Sequence, residues 1–166
     1  MKSCVFPGSF DPVTRGHLDL IVRAARLFDR VTVVVMINRN KRETLSPEAR
    51  VRLLKACCSN IPGVFVERWD GLLADYMRRK DEICVLRGAR DAAECGQELI
   101  SAAANRQMNP EMETVLLPAT EGLHCLSSSM VREISSFGGD VRPFLPEAVA
   151  EEIVSLLSNR IEGNID

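Results

Sequence analysis

Five short runs rich in apolar and β-branched residues alternate with stretches of helical periodicity from one end of the chain to the other. They are Ser3–Phe6, Val31–Ile37, Val64–Arg68, Ile83–Arg87 and Thr114–Leu117. This alternation narrows the fold more than any other feature, because strands joined through helices pair in parallel. Between the first two runs, Leu18, Ile21, Val22, Ala25 and Phe28 recur at helical spacing. Ser46-Pro47-Glu48 opens a second helix through Val51, Leu54 and Lys55, with Ser46 as N-cap and Pro47 in the first helical position. A third helix is expected from about Leu72 to Arg79, and an Ala-rich fourth from about Ala92 to Gln107, stopping before Pro110. The last two follow Ser127 and Pro146, the final one carrying Val149, Ile153, Leu156 and Leu157 on one face. The pattern predicts an α/β fold: a doubly wound, five-stranded parallel sheet of Rossmann-like type with C-terminal helices. A chain of 166 residues suits one domain, read as 1–160, with a polar, frayed tail at 161–166.

Sheets of this type bind ligands beyond the carboxyl ends of their strands, where the strand order reverses. The unusual residues of this chain follow the strands in that way: Pro7 to His17, Asn38 to Lys41, Asp70 to Leu73, Arg87 to Arg90 and Thr120 to Ser129. In the first segment, Pro7 and Gly8 bend the chain out of a strand and Gly8 allows close approach. The amides of the next helix then point partial positive charge at a guest, for which phosphate is the natural choice. His17, on the first helical turn, adds a donor. Arg87-Gly88-Ala89-Arg90 sets two guanidiniums around a glycine at the end of what should be the central fourth strand, and guanidinium forks match phosphate oxygens. Ser127-Ser128-Ser129 opens a helix; one serine would serve as a cap, whereas three leave donors for a phosphate chain. Taken singly these features are ordinary. Lys41 in Arg39-Asn40-Lys41-Arg42 reads as a solvated loop, Glu98 as an exposed helix residue, and Leu72 and Leu73 equally as core or pocket wall. Their coincidence on one rim is the argument.

Composition removes several other functions. A net charge of -2 and a pI near 5.8 lack the basic excess of a general nucleic-acid binder. No apolar run reaches the 18 or so residues of a membrane span, so a cytoplasmic protein is expected. The six cysteines (Cys4, Cys57, Cys58, Cys84, Cys95, Cys125) include no C-x-x-C pair and read as reduced packing residues, leaving no protein metal ligands to assign.

Pro7-Gly8-Ser9-Phe10-Asp11-Pro12 with Thr14-Arg15-Gly16-His17, Arg87-Gly88-Ala89-Arg90, Leu126-Ser127-Ser128-Ser129-Met130-Val131-Arg132, and Gly139-Asp140-Val141 with Phe144-Leu145-Pro146 together resemble the bacterial phosphopantetheine adenylyltransferases, nucleotidyltransferases marked by a (H/T)-x-G-H loop. The resemblance covers nearly the whole chain. It implies that ATP and 4′-phosphopantetheine give dephospho-coenzyme A and pyrophosphate, with Mg2+. It also implies a homohexamer and inhibition by coenzyme A. Carried over by position, Ser9, Lys41, Leu73 and Arg87 would contact phosphopantetheine. Ser9, Phe10, His17, Gly88, Ala89, Arg90, Glu98, Leu123, His124, Cys125, Leu126, Ser127, Ser128 and Ser129 would line the ATP side. His17 is the expected transition-state stabiliser, with Lys41, Arg87 and Arg90 as the other catalytic residues. The chain departs from the family pattern at Glu94-Cys95-Gly96-Gln97-Glu98, where an acid-aromatic-acid stretch is usual, and at Leu123 and Cys125, where aromatics are common. A related transferase with another acceptor and a nucleotide-binding regulator without turnover remain as alternatives.

Overall fold

Each apolar run becomes a strand in a computed structural model that describes residues 1–37 and 43–162. The strands are β1 (Ser3–Gly8), β2 (Arg30–Ile37), β3 (Val64–Asp70), β4 (Cys84–Ala89) and β5 (Glu113–Pro118). All pair in parallel, in the order β3-β2-β1-β4-β5. The strand order reverses between β1 and β4, the expected doubly wound arrangement, but β1 rather than β4 takes the central place. Several strands outlast their apolar runs. Pro7 and Gly8 pair opposite Val34 and Val35, and Gly88 and Ala89 opposite Leu117 and Pro118. Neighbouring ladders extend the pairing past residues of poor strand propensity. Proline is unusual in a central strand. Here β1 meets β4 in register at Val5 and Val85, and Pro7 lies beyond that point, where the two strands part.

Local chemistry sets the helices α1 (Arg15–Leu27), α2 (Pro47–Cys58), α3 (Leu73–Lys80), α4 (Ala92–Met108), α5 (Ser128–Ser136) and α6 (Ala150–Glu162). Ser46 caps α2 through the amide of Ala49 (3.2 Å), Asp91 caps α4 through Glu94 (2.8 Å), and Ser127 caps α5 through Met130 (3.0 Å). Each such cap is worth about 1 kcal/mol. The helix expected directly after Pro146 begins instead as a 3-10 turn, Glu147–Val149, which passes into α6. Helix α6 takes in 161 and 162 of the segment read as a tail, and 163–166 lie outside the described residues.

The sheet is covered on both faces. Cys4, Phe6, Val31, Val33, Val35 and Leu86 face α1, α2, α5 and α6 in the larger core. Val5, Val34 and Val85 face the other way, against Ala74, Tyr76 and Met77 of α3 and against Met112. Helix α4 flanks this second face without fully burying any residue, and its Leu99 and Ile100 are exposed. All six cysteines are free; Cys4 and Cys58 are buried and Cys125 is exposed. Among the described residues no helix is long and apolar enough to cross a membrane.

Candidate active site

Where β1 and β4 part, a cavity of about 330 Å³ opens at the carboxyl ends of both strands. Its first wall is the turn from β1 to α1. Phe10 holds a left-handed backbone (φ 48°), which costs an L residue about 1–2 kcal/mol. Neighbours over-determine it. The buried Arg50 of α2 donates from Nη1 to the Ser9 carbonyl (2.9 Å), and Arg132 of α5 donates to the Asp11 carbonyl. The Asp11 carboxylate accepts the amides of Thr44 and Leu45, each at 2.7 Å. The Phe10 ring is buried edge-on between Phe6 and His17, with centroids 5.5 and 5.0 Å away. A Cβ on Gly8 would lie 2.9 Å from that ring, which is why glycine stands there.

Thr14 and His17 close α1 with a reciprocal cap. The backbone N–H of Thr14 donates to His17 Nδ1 (3.1 Å), and the Thr14 hydroxyl, also 3.1 Å from Nδ1, accepts the His17 amide (3.4 Å). An Nδ1 that accepts from a backbone amide carries no proton, so the neutral ring presents its N–H at Nε2. Burial, with Arg87 and Arg90 nearby, pushes the imidazole pKa down to about 4. His17 is thus a neutral donor aimed from a fixed tautomer.

The second wall is the turn from β4 to α4. Arg87 donates from Nε and Nη2 to Glu98 (2.8 and 2.6 Å) and from Nη1 to the Pro7 carbonyl (2.6 Å). Arg90 is forked onto Glu94. Gly88 lets β4 approach α1, since a Cβ there would meet Leu20 at 2.4 Å. The third wall is the segment entering α5. Its three serine hydroxyls all have protein partners: Ser127 caps Met130, Ser128 donates to the Pro12 carbonyl (2.8 Å), and Ser129 accepts from Arg132 (3.0 Å). Ser127 and Ser129 accept through oxygen and keep their O–H, so the spare donors on this segment are those two hydroxyls together with backbone amides, and only the Ser128 hydroxyl is spent.

Of the anticipated residues, Ser9, Phe10, His17, Arg87, Gly88, Ala89, Arg90, Glu98, Leu123, Leu126, Ser127 and Ser128 share this cavity. His124, Cys125 and Ser129 are exposed and lie outside its lining. Leu73 lines a second cavity of about 350 Å³ on the other face of the sheet, against α4. The two cavities share Pro7, Gly8, Ser9, Arg87 and Glu98. Lys41 lies outside the described residues. Sequence reasoning missed Thr14, Arg50 and Asp11, which orient the first loop, and Glu94, Ser101, Ala102 and Asn105 of α4. Glu98, Ser101, Ala102 and Asn105 follow the i, i+3, i+4, i+7 spacing of one small, polar helix face, a signal present in the chain.

The described residues contain no cluster of three His, Cys, Asp or Glu side chains able to hold a metal by themselves. The cavity's carboxylates, Glu94 and Glu98, are both engaged by arginine. This donor set suits an ion that keeps its waters and travels with phosphates.

A family model described as cytidylyltransferase-like matches residues 5–134. The chain is 44% identical over 164 residues to the phosphopantetheine adenylyltransferase of Thiobacillus denitrificans, covering 99% of this chain and 100% of that protein. It is 39% identical over 163 residues to the enzyme of the same name from Heliobacterium modesticaldum, covering 98% and 97%. Among solved structures, a bifunctional NMN adenylyltransferase/ADP-ribose pyrophosphatase from Francisella tularensis, complexed with AMP and a Mn ion, has a TM-score of 0.73 at 14% identity. That likeness covers 99% of this chain, which spans 52% of the length of the bifunctional protein, and it is a likeness of fold.

Proposed function

The chain belongs to the cytidylyltransferase-like family and, within it, to the phosphopantetheine adenylyltransferases, and on that basis we propose that the cavity between β1 and β4 is where its chemistry is done. The reaction transfers the adenylyl group of ATP to 4′-phosphopantetheine, giving dephospho-coenzyme A and pyrophosphate, a late step of coenzyme A biosynthesis. One observation carries the assignment of the site: two cavities on opposite faces of the sheet meet at Ser9, Arg87 and Glu98. An in-line transfer needs two substrates that approach from different sides and touch at one phosphorus.

The nucleophile comes with the substrate. A phosphate monoester has a second pKa of about 6 and is mostly dianionic at neutral pH, so no protein base is needed. His17 Nε2–H donates to the α-phosphoryl oxygens as charge builds there, with the amides of the Ser9–Phe10 turn beside it. Arg87, fixed on Glu98, orients the attacking phosphate together with Lys41. Arg90 and the amides of Ser128 and Ser129 receive the leaving phosphates. Leu73 and the α4 face of Ser101, Ala102 and Asn105 take the pantetheine arm. Phe10, Gly88, Ala89, Leu123 and Leu126 border the nucleotide, with the exposed His124 and Cys125 beyond the cavity lining.

Mg2+ fits this cavity as an ion that would be held by phosphate and water with few protein ligands, since Glu94 and Glu98 are both engaged by arginine, and it would neutralise phosphate charge. We further propose a single domain over 1–160, a cytoplasmic location, assembly as a homohexamer and inhibition by coenzyme A, whose pantetheine arm would occupy the second cavity. The exposed Leu99 and Ile100 on a helix with no fully buried residue support self-association. The deciding experiment supplies purified protein with ATP, Mg2+ and a panel of phosphorylated acceptors. Pyrophosphate and dephospho-coenzyme A formed with 4′-phosphopantetheine support the reading, and pyrophosphate formed only with another acceptor refutes it.

A further inference from the structure

Both arginines of the cavity are paired with carboxylates of α4, in different ways. Arg87 has three anchors, two to Glu98 and one to the Pro7 carbonyl, and the Glu98 side chain is only 15% exposed. That pair is part of the wall. Arg90 and Glu94 are each about one-third exposed, at 34% and 33%. The other anchor of Arg90 is a long bond from Nη1 to the Leu126 carbonyl (3.3 Å).

Glu94 takes more than the guanidinium. Arg90 Nε lies 2.8 and 2.9 Å from its two oxygens, Nη2 also donates to Oε1, and the backbone N–H of Arg90 donates to Oε2 at 2.9 Å. One carboxylate thus holds a guanidinium fork and a backbone amide together, the donor set that suits the oxygens of a phosphate. It does so inside the cavity lined by His17 and Ser128.

We propose that the Glu94 carboxylate is an internal counter-anion that competes with the leaving phosphates of the nucleotide for the donors of Arg90, and so sets the affinity for ATP. The inference rests on the reading of this cavity as the nucleotide site. A ligand whose donors are already taken binds with an affinity reduced by the fraction of time they are free. Glu94 also sets a negative charge beside a polyanion, so competition and repulsion act in the same direction. The opposing possibility is that Glu94 merely holds Arg90 in place, in which case removing its charge weakens binding.

Titration calorimetry with ATP and Mg2+, without acceptor, separates the two. Glu94→Gln should bind ATP about fivefold more tightly than wild type, the factor that a good partly exposed ion pair is worth. In an Arg90→Ala background the same change should lose most of that gain. Glu94→Ala provides a second variant with the same expectation if the glutamine protein fails to fold. Unchanged or weaker binding by a folded Glu94 variant overturns the proposal, as does a gain that survives loss of Arg90 undiminished. A wild-type protein that does not bind ATP refutes the reading of the cavity itself, a result distinct from wild-type binding that Glu94→Gln does not improve.

Discussion

Acidifying the protein tests whether His17 is the neutral donor that its surroundings demand. An ordinary imidazole with a pKa of 6.5 is about three-quarters protonated at pH 6. With its pKa pushed to about 4, His17 is only about 1% protonated there. The difference corresponds to about 3 kcal/mol in favour of the neutral ring. Burial is the largest cause, followed by Arg87 and Arg90, while the bond from the Thr14 amide selects the tautomer. The chain has two histidines, so nitrogen NMR can follow His17 once the His124 signal is assigned by His124→Asn. From pH 8 to 5 His17 should keep one tautomer, protonated at Nε2 alone, and its midpoint should lie near 4. Arg87→Met should raise that midpoint, yet leave it below 6.5 because the desolvation remains. Stability follows with a definite sign: the folded pKa lies below the unfolded value, so the unfolded chain takes the proton first. The contribution of the neutral ring is present above pH 6.5 and is lost as pH falls from 6.5 to 4. A midpoint near 6.5, or a proton on Nδ1, would show that His17 is not held as a neutral Nε2–H donor.

Replacing His17 by Ala should lower kcat by on the order of 10²–10³, as loss of one transition-state donor does, with little change in ATP affinity measured by calorimetry. Asp11→Asn removes one of the two oxygens that hold the Thr44 and Leu45 amides and turns an N–H toward them; thermal unfolding should show a loss of about 1–3 kcal/mol. Gly8→Ala puts a methyl 2.9 Å from the buried Phe10 ring, which in turn touches His17. Overpacking of this kind costs about 1–3 kcal/mol, and kcat should fall along with the melting temperature.

The fold was legible in the sequence wherever it depends on local pattern. Short β-rich apolar runs mark the strands, period-3.6 stretches mark the helices, and Ser46-Pro47 marks the start of α2. The place of β1 at the centre of the sheet was not legible, because strand order depends on which way each crossover turns. The site divides along the same line. Ser9, His17, Arg87, Arg90 and Ser128 stand within or just past the carboxyl ends of strands or at helix starts, so topology alone gathers them. Arg50 and Asp11 escape notice because their partners, the Ser9 carbonyl and the Thr44 and Leu45 amides, lie 41, 33 and 34 residues away and are backbone atoms. The Ser128 hydroxyl has a partner equally remote in sequence: the Pro12 carbonyl that takes it is 116 residues distant.

On this mechanism the protein aligns two substrates and contributes no nucleophile of its own. A single diastereomer of ATP with sulfur in place of one non-bridging α-oxygen, chiral at the α-phosphorus, tests this directly, because each in-line displacement inverts that phosphorus. One displacement by the acceptor phosphate predicts dephospho-coenzyme A of inverted configuration. Retention would require two displacements through a nucleotide bound covalently to the protein, and would rule out direct transfer between the two substrates.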